Sequence, residues 1–180
     1  MKWSIDNAHS LVEFSVKHMM ITTVKGRFGK VTGTLDFEEP GFGKSYVEAE
    51  VDVSSIDTRD EKRDGHLKSA DFFDVEKYPT ITFKSTNVEE VRPNEFKVTG
   101  DLTIKDVTKP VTLEVEYGGQ NKNPWGMTVA GFSATTTINR KDFGLNWNVA
   151  LETGGWLVGD TIKISLELEA AAVPEGAPVA

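Results

Sequence analysis

Residues 10–18 read Ser-Leu-Val-Glu-Phe-Ser-Val-Lys-His, and their alternation decides the fold. Val12, Phe14, Val16 and His18 fall on one face, and Leu11, Glu13, Ser15 and Lys17 on the other. A period of two marks a strand with one buried face. The same parity returns in Val47, Ala49, Val51 and Val53, in Phe96, Val98, Gly100, Leu102 and Ile104, and in Val111, Leu113, Val115 and Tyr117. It recurs in Phe132, Ala134, Thr136 and Ile138 and in Ile162, Ile164, Leu166 and Leu168. Another strand is expected around Ile81, Phe83 and Ser85, after Tyr78-Pro79, because proline is tolerated at a strand start. Between Val24 and Phe37 the apolar parity slips by one residue, which predicts a β-bulge near Gly29-Lys30. Turn chemistry stands at Pro40-Gly41, Arg92-Pro93-Asn94, Gly118-Gly119 and Asn123-Pro124-Trp125-Gly126. About eight strands joined by short turns predict an all-β meander closed into a single antiparallel barrel, since closure removes the sheet edges.

One stretch departs from this pattern. Thr58 and Glu61 have capping-box spacing and the residues to Ser69 are strongly polar, which predicts a short surface helix inserted between strands. Ser69 to Asp74 would begin a second helical turn, with Leu67, Phe72 and Phe73 packed over one end of the barrel. The barrel domain is assigned to residues 1–170, and alanine, proline and glycine without periodicity read as a disordered tail over 171–180.

A chain of 180 residues suits one domain with its own core. It has no cysteine, so disulfides, thiol catalysis and cysteine-ligated metals are excluded. Its net charge of -8, with basic residues scattered, argues against nucleic-acid binding. No apolar run reaches the roughly 20 residues of a membrane helix, although transient membrane contact is compatible with the sequence, as is a homodimer. As written the chain reads as cytoplasmic, and a leader removed ahead of residue 1 would make it periplasmic.

Inward positions of a small barrel must be filled by side chains or by a ligand. Gly26, Gly33, Ala49, Gly100 and Ala134 share inward faces with large apolar residues, so they leave volume or else relieve crowding. The candidate ligand wall is Phe14, Val16, His18, Phe28, Phe83, Leu102, Ile104, Phe132, Ala134 and Ile138, with Trp147 and Trp156 as a lid or mouth. Trp125 and Phe143 belong to the same loop-rich, aromatic sequence. His18 is the titratable group of that wall, either a satisfied core residue or a contact for a headgroup. His9, near a strand start, and His66, in the polar helix, lie far apart in sequence and form no metal-ligand spacing, so no metal site is expected. Asp57, Asp60, Glu61 and Asp64, interleaved with Arg59, Lys62 and Arg63, read as a solvated helix face with ion pairs and not as catalytic carboxylates. No nucleophile elbow, Walker loop or dinucleotide fingerprint is present.

The ordered motifs resemble the YceI-like family of lipocalin-like, polyisoprenoid-binding proteins. They run from Trp3, Ile5-Asp6, His9-Ser10, Phe14, His18, Val24, Gly26 and Phe28 through Ser55-Ile56-Asp57-Thr58, Arg63-Asp64-Gly65-His66-Leu67 and Ser69 to Asp74. Tyr78 to Ser85, Gly100 to Ile104, Val107 to Val111 and Ile138 to Gly144 complete them. The resemblance implies a lipocalin-like barrel whose lumen takes a long isoprenoid tail, without catalysis and without a cofactor other than the lipid. The blocks over Asp57 to Asp74 and Asn139 to Gly144 are expected to order the end loops. Three functions follow: binding, storage or transport of a polyprenyl compound or isoprenoid quinone; an enzyme acting on such a lipid with His18 as acid or base; or a ligand-free stress or scaffold protein with a full core.

Overall fold

The computed structural model describes residues 1–38 and 41–176. Its strands are β1 (Lys2–Ile5), β2 (Leu11–His18), β3 (Thr22–Phe28), β4 (Val31–Asp36), β5 (Tyr46–Asp52) and β6 (Ile56–Asp57), followed by helix α1 (Glu61–Lys68). Then come β7 (Thr80–Arg92), β8 (Glu95–Ile104), β9 (Val107–Lys122), β10 (Thr128–Asn139) and β11 (Thr161–Ala172). All pairings are antiparallel, and the β1–β11 pairing closes the ring. Three of the eight barrel positions are each shared by two short strands. β11 pairs with β2 near Phe14 and with β1 at Trp3, β3 and β4 flank that interrupted strand, and β6 and β5 flank the next.

These interruptions replace the expected bulge. At Gly29-Lys30 the chain leaves β2 for β1, and side chains take over the missing ladder partners. Val31 N–H donates to Asn7 Oδ1 at 2.7 Å, and Lys30 N–H donates to Ser55 Oγ at 3.2 Å. A parity slip in sequence is common to a bulge and to a change of neighbour, so parity alone could not separate them. Gly118-Gly119 is likewise no turn. β9 continues through it to Lys122 with Gly118 as the extra residue opposite Gly131 and Phe132. The reversal comes later, where Asn123 Oδ1 accepts from the N–H groups of Trp125 and Met127. The Pro40 half of the Pro40-Gly41 turn lies outside the described residues.

The expected tail starts later than Ala170. Ala171 and Ala172 pair with Ser4 and Trp3, Val173 N–H donates to Lys2 O, and Ala170 is fully buried. Residues 177–180 lie outside the described residues.

One end of the barrel is filled by rings. Phe37 stacks on Trp3 at 4.7 Å between centroids, meets Phe132 edge-on at 5.3 Å and contacts Phe42 and Tyr117. Each such ring removes about 150–250 Å² from water, a gross ~4–6 kcal/mol and an upper bound. The other end is covered by non-β segments. Helix α1 has Asp60 as its N-cap, accepting from the N–H groups of Lys62 and Arg63, and not Thr58 as the spacing suggested. Thr58 is buried and donates to Asp64 instead, and the Arg63 guanidinium donates to Thr58. The residues after α1 form hydrogen-bonded turns and no second helix, with Phe72 N–H on Ser69 O and Val75 N–H on Lys68 O.

Candidate functional site

Inside the closed wall is a chamber of about 290 Å³, near the lower edge of the roughly 300–1,000 Å³ typical of small-molecule sites. Its lining is almost wholly aliphatic and aromatic because the inward parity of each strand was apolar. Nine predicted wall residues line it: Phe14, Val16, Phe28, Phe83, Leu102, Ile104, Phe132, Ala134 and Ile138. Leu67, Phe72 and Phe73 cover it from the α1 side, and Leu145 and Val158 from the loop between β10 and β11.

Three predicted residues lie off that wall. His18 continues the parity of β2, but the wall ends at Val16. His18 pairs with Thr22 and bridges to Val158 of the loop. Trp147 is half-buried and meets the edges of His66 at 4.5 Å and Phe72 at 5.4 Å, so it joins the loop to the α1 segment. Trp156 is 53 % exposed and bridges to Ala150 within the loop. Trp125 is farther still, 84 % exposed in the β9–β10 turn at the ring-filled end, while Phe143 is buried.

Of the two readings of the glycines, relief of crowding holds for Gly26 and Gly100. A Cβ on Gly26 would come within 2.3 Å of the Phe14 ring, and one on Gly100 within 2.5 Å of the Phe83 ring. Each glycine therefore seats a neighbouring ring against the strand, as glycine–aromatic pairs do in sheets. Ala49 and Ala134 remain as the small residues of the chamber wall.

The polar side chains of the wall are few and mostly engaged. Arg140 is 2 % exposed, and its guanidinium donates to the carbonyl oxygens of Gly159 (2.8 Å), Leu145, Trp147 (3.0 Å) and Val158 (3.4 Å). Asp160 stands 3.6 Å away. Burial lowers the Arg140 pKa and Asp160 opposes that shift, yet a guanidinium stays charged at neutral pH. Arg140 thereby fixes a loop that has no sheet ladder of its own. Nothing in the strand pattern pointed to it, although it lies in a block expected to order an end loop. Thr136 donates to Thr112 O at 2.9 Å. Ser45 Oγ lines the chamber, is buried and has no hydrogen-bond partner.

The acidic cluster is used locally. Asp57 accepts from Arg59 N–H and faces Arg27 at 3.6 Å, Asp60 caps α1 and Asp64 holds Thr58. Elsewhere the fold gathers Asp6, His9 and Glu169 with donor atoms within 4.8 Å. His9 Nδ1 hydrogen-bonds the Asp6 carboxylate at 2.8 Å, which raises the His9 pKa and lowers that of Asp6. This pair lies within the β1–β2 connection, and His9 Nδ1 stands 3.9 Å from Glu169 of β11. Among the described residues no helix is long and apolar enough to cross a membrane.

A closed antiparallel barrel around a carbon-lined chamber, capped at one end by a helix and an ordered loop, defines a lipocalin-like barrel. Residues 3–170 match the YceI-like domain, and the chain belongs to that family. It is 42 % identical over 168 residues to a UPF0312 protein of Staphylococcus aureus strain N315, covering 93 % of this chain and 95 % of that one. The YceI protein of Campylobacter jejuni superposes with a TM-score of 0.72 at 32 % identity, covering 87 % of this chain and 90 % of that one. A polyisoprenoid binding domain from Saccharophagus degradans, implicated in plant cell wall breakdown, has the same fold. Its TM-score is 0.68 at 16 % identity, with 95 % of this chain and 98 % of that one covered.

Proposed function

We propose that the chain binds a long-chain isoprenoid lipid, a polyprenyl compound or isoprenoid quinone, inside the barrel and acts as a non-catalytic carrier or store. The carrying observation is the chamber within the barrel, whose wall is predominantly aliphatic and aromatic. A tail exchanged from water into that wall gains about 0.8 kcal/mol per methylene, so a few isoprene units supply binding without a single polar contact. Ordering of the tail and lost translation offset much of this. The polyisoprenoid-binding domain of S. degradans, which shares the fold, supports the choice of ligand. Tails longer than about 290 Å³ accommodates require the α1 segment and the β10–β11 loop to part at Trp147, where side-chain contacts join them.

Native mass spectrometry of the purified protein, followed by organic extraction, tests the reading. A co-purifying isoprenoid, or uptake of a polyprenyl alcohol or quinone by delipidated protein, is expected. Protein that takes up neither would refute it.

A further inference from the structure

The β2–β3 hairpin ends in Met19-Met20-Ile21, which are 41, 65 and 76 % exposed. The β10–β11 loop brings Val149 and Trp156, 46 and 53 % exposed, to the same end of the molecule. Met19 N–H donates to Leu157 O at 2.8 Å, Leu157 N–H donates to Val149 O at 2.9 Å, and Ala150 pairs with Trp156. Met20 Sδ lies against Gly155, at 2.1 Å from where a Cβ would stand. Five large apolar side chains are thus held together in solvent, which marks an interaction site.

The backbone of the tip adds a second observation. Ile21 N–H donates to His18 O at 3.2 Å, and the two residues between them, Met19 and Met20, have φ of 52° and 66°. Positive φ at both central positions is the type I′ pattern, where Asn-Gly is favoured and a side chain with a Cβ is strained. Two methionines there trade backbone ease for apolar groups at the point of the hairpin, and such strain gathers at functional sites.

Charge supplies the third. In a chain of net charge -8, residues 14–35 carry Lys17, Lys25, Arg27 and Lys30 and no carboxylate. Lys163 on β11 and Lys25 on β3 both sit opposite Ser15, on the outward face of the same end. Arg27 faces Asp57, and Glu152 is the one carboxylate in the loop segment 145–158. An apolar tip containing tryptophan and methionine, backed by cations, matches the interfacial zone of a bilayer with anionic headgroups.

We propose that the hairpin tip and the β10–β11 loop dock the barrel on an anionic phospholipid bilayer. The purpose of docking rests on the isoprenoid reading of the chamber. Val158 lines the chamber and bridges to His18 at the root of the hairpin, so insertion of the tip pulls directly on the loop that covers the lipid.

The test is co-sedimentation of the full chain with isoprenoid-free vesicles of phosphatidylcholine, with and without phosphatidylglycerol. Wild type is expected to bind the mixed vesicles more tightly than the neutral ones, and added salt should weaken that preference. Lys17→Gln with Lys25→Gln should remove the preference. Met19→Asn, Met20→Gly and Ile21→Thr together install residues suited to the turn. That variant should keep its melting temperature and its uptake of isoprenoid from detergent while losing vesicle affinity by about tenfold or more. Wild type that ignores both vesicles, or a triple variant that binds as wild type does, overturns the proposal. So does a triple variant that alters only the oligomeric state, because the tip would then be a subunit contact. Isoprenoid uptake from detergent is read separately, so failure of the chamber reading and failure of docking give different results.

Discussion

Ala134 faces the chamber between Val115 of β9 and Leu166 of β11 and is 6 % exposed. Ala134→Trp places an indole in the space assigned to the lipid, and the two readings of that space forecast opposite outcomes. In a packed core the added ring overpacks at a cost of about 1–3 kcal/mol. At about 2–4 °C per kcal/mol for a chain of this size, the melting temperature would fall by roughly 2–12 °C. In a true chamber the ring occupies open volume and the melting temperature of delipidated protein stays within about 2 °C. The ligand pays instead: a ring displacing one isoprene unit removes five carbons, a gross ~4 kcal/mol at ~0.8 kcal/mol per methylene. That is about three powers of ten in affinity. Thermal melts of delipidated wild type and variant, together with native mass spectrometry after exposure to a polyprenyl alcohol, read both quantities. A variant that is strongly destabilised, or that loads lipid like wild type, refutes the assignment of Ala134 to a ligand chamber.

Other perturbations bear on the covers and on the groups outside the wall. Arg140→Ala strands the Leu145, Trp147 and Gly159 carbonyls, while Val158 O keeps its 2.8 Å hydrogen bond from the Asn148 amide. Amide exchange across residues 145–158 should accelerate and stability drop by about 3 kcal/mol or more, given 1–3 kcal/mol per unsatisfied buried group. Unchanged exchange would remove Arg140 from that role. His18→Gln should leave isoprenoid uptake within about twofold of wild type, because the side chain lies off the chamber wall; a tenfold loss in an uptake titration would place it in the site. The raised His9 pKa stabilises the fold fully below about pH 6.5, and this is lost as pH rises through the folded value. The lowered Asp6 pKa acts from about pH 3.8 upward and is lost as pH falls through its folded value. The melting-temperature gap between wild type and His9→Gln should therefore be widest between the two ordinary values, at about pH 5–6, and narrow as pH rises through the folded His9 value. A gap that does not vary with pH would show that the pair adds nothing electrostatic.

The chamber wall was legible because each wall strand keeps its own alternation. Val12, Phe14 and Val16, or Ile162 to Leu168, announce an inward face whatever their neighbours are. Parity says which side of a strand a residue takes but not where the wall stops, and so His18 was counted inside. It lies past the last lumen position, where β2 begins to pair with the loop. The two readings of Gly26 and Gly100 stayed open in the sequence for a related reason, since one strand's sequence cannot show the ring that the next strand lays over it. The β10–β11 loop was the least legible part. Its order comes from one buried guanidinium collecting four carbonyls across residues 145–159, from the Asn148 amide on Val158 and from short backbone pairing of Val149 to Leu151 with Gly155 to Leu157, an arrangement with no sequence period.

The same distribution of polar atoms bears on binding against catalysis. Acid or base chemistry on a bound lipid needs a titratable group whose reactive atom faces the lumen. Arg140 reaches the wall with its donors committed to the loop carbonyls, Asp36 is exposed and paired with the Met1 amino group at 3.1 Å, and Tyr46 is exposed and donates its hydroxyl to Glu48 at 3.3 Å. Ser45 Oγ is different: among the described residues it is the one buried side-chain polar atom of the wall without a partner. It can donate to a carbonyl or hydroxyl oxygen of a headgroup. A neutral hydrogen bond contributes about 1 kcal/mol net, against a gross ~4 kcal/mol for each isoprene unit. On the proposed reading the tail would therefore supply most of the affinity, and Ser45 would contribute to the orientation of a carbonyl-bearing lipid.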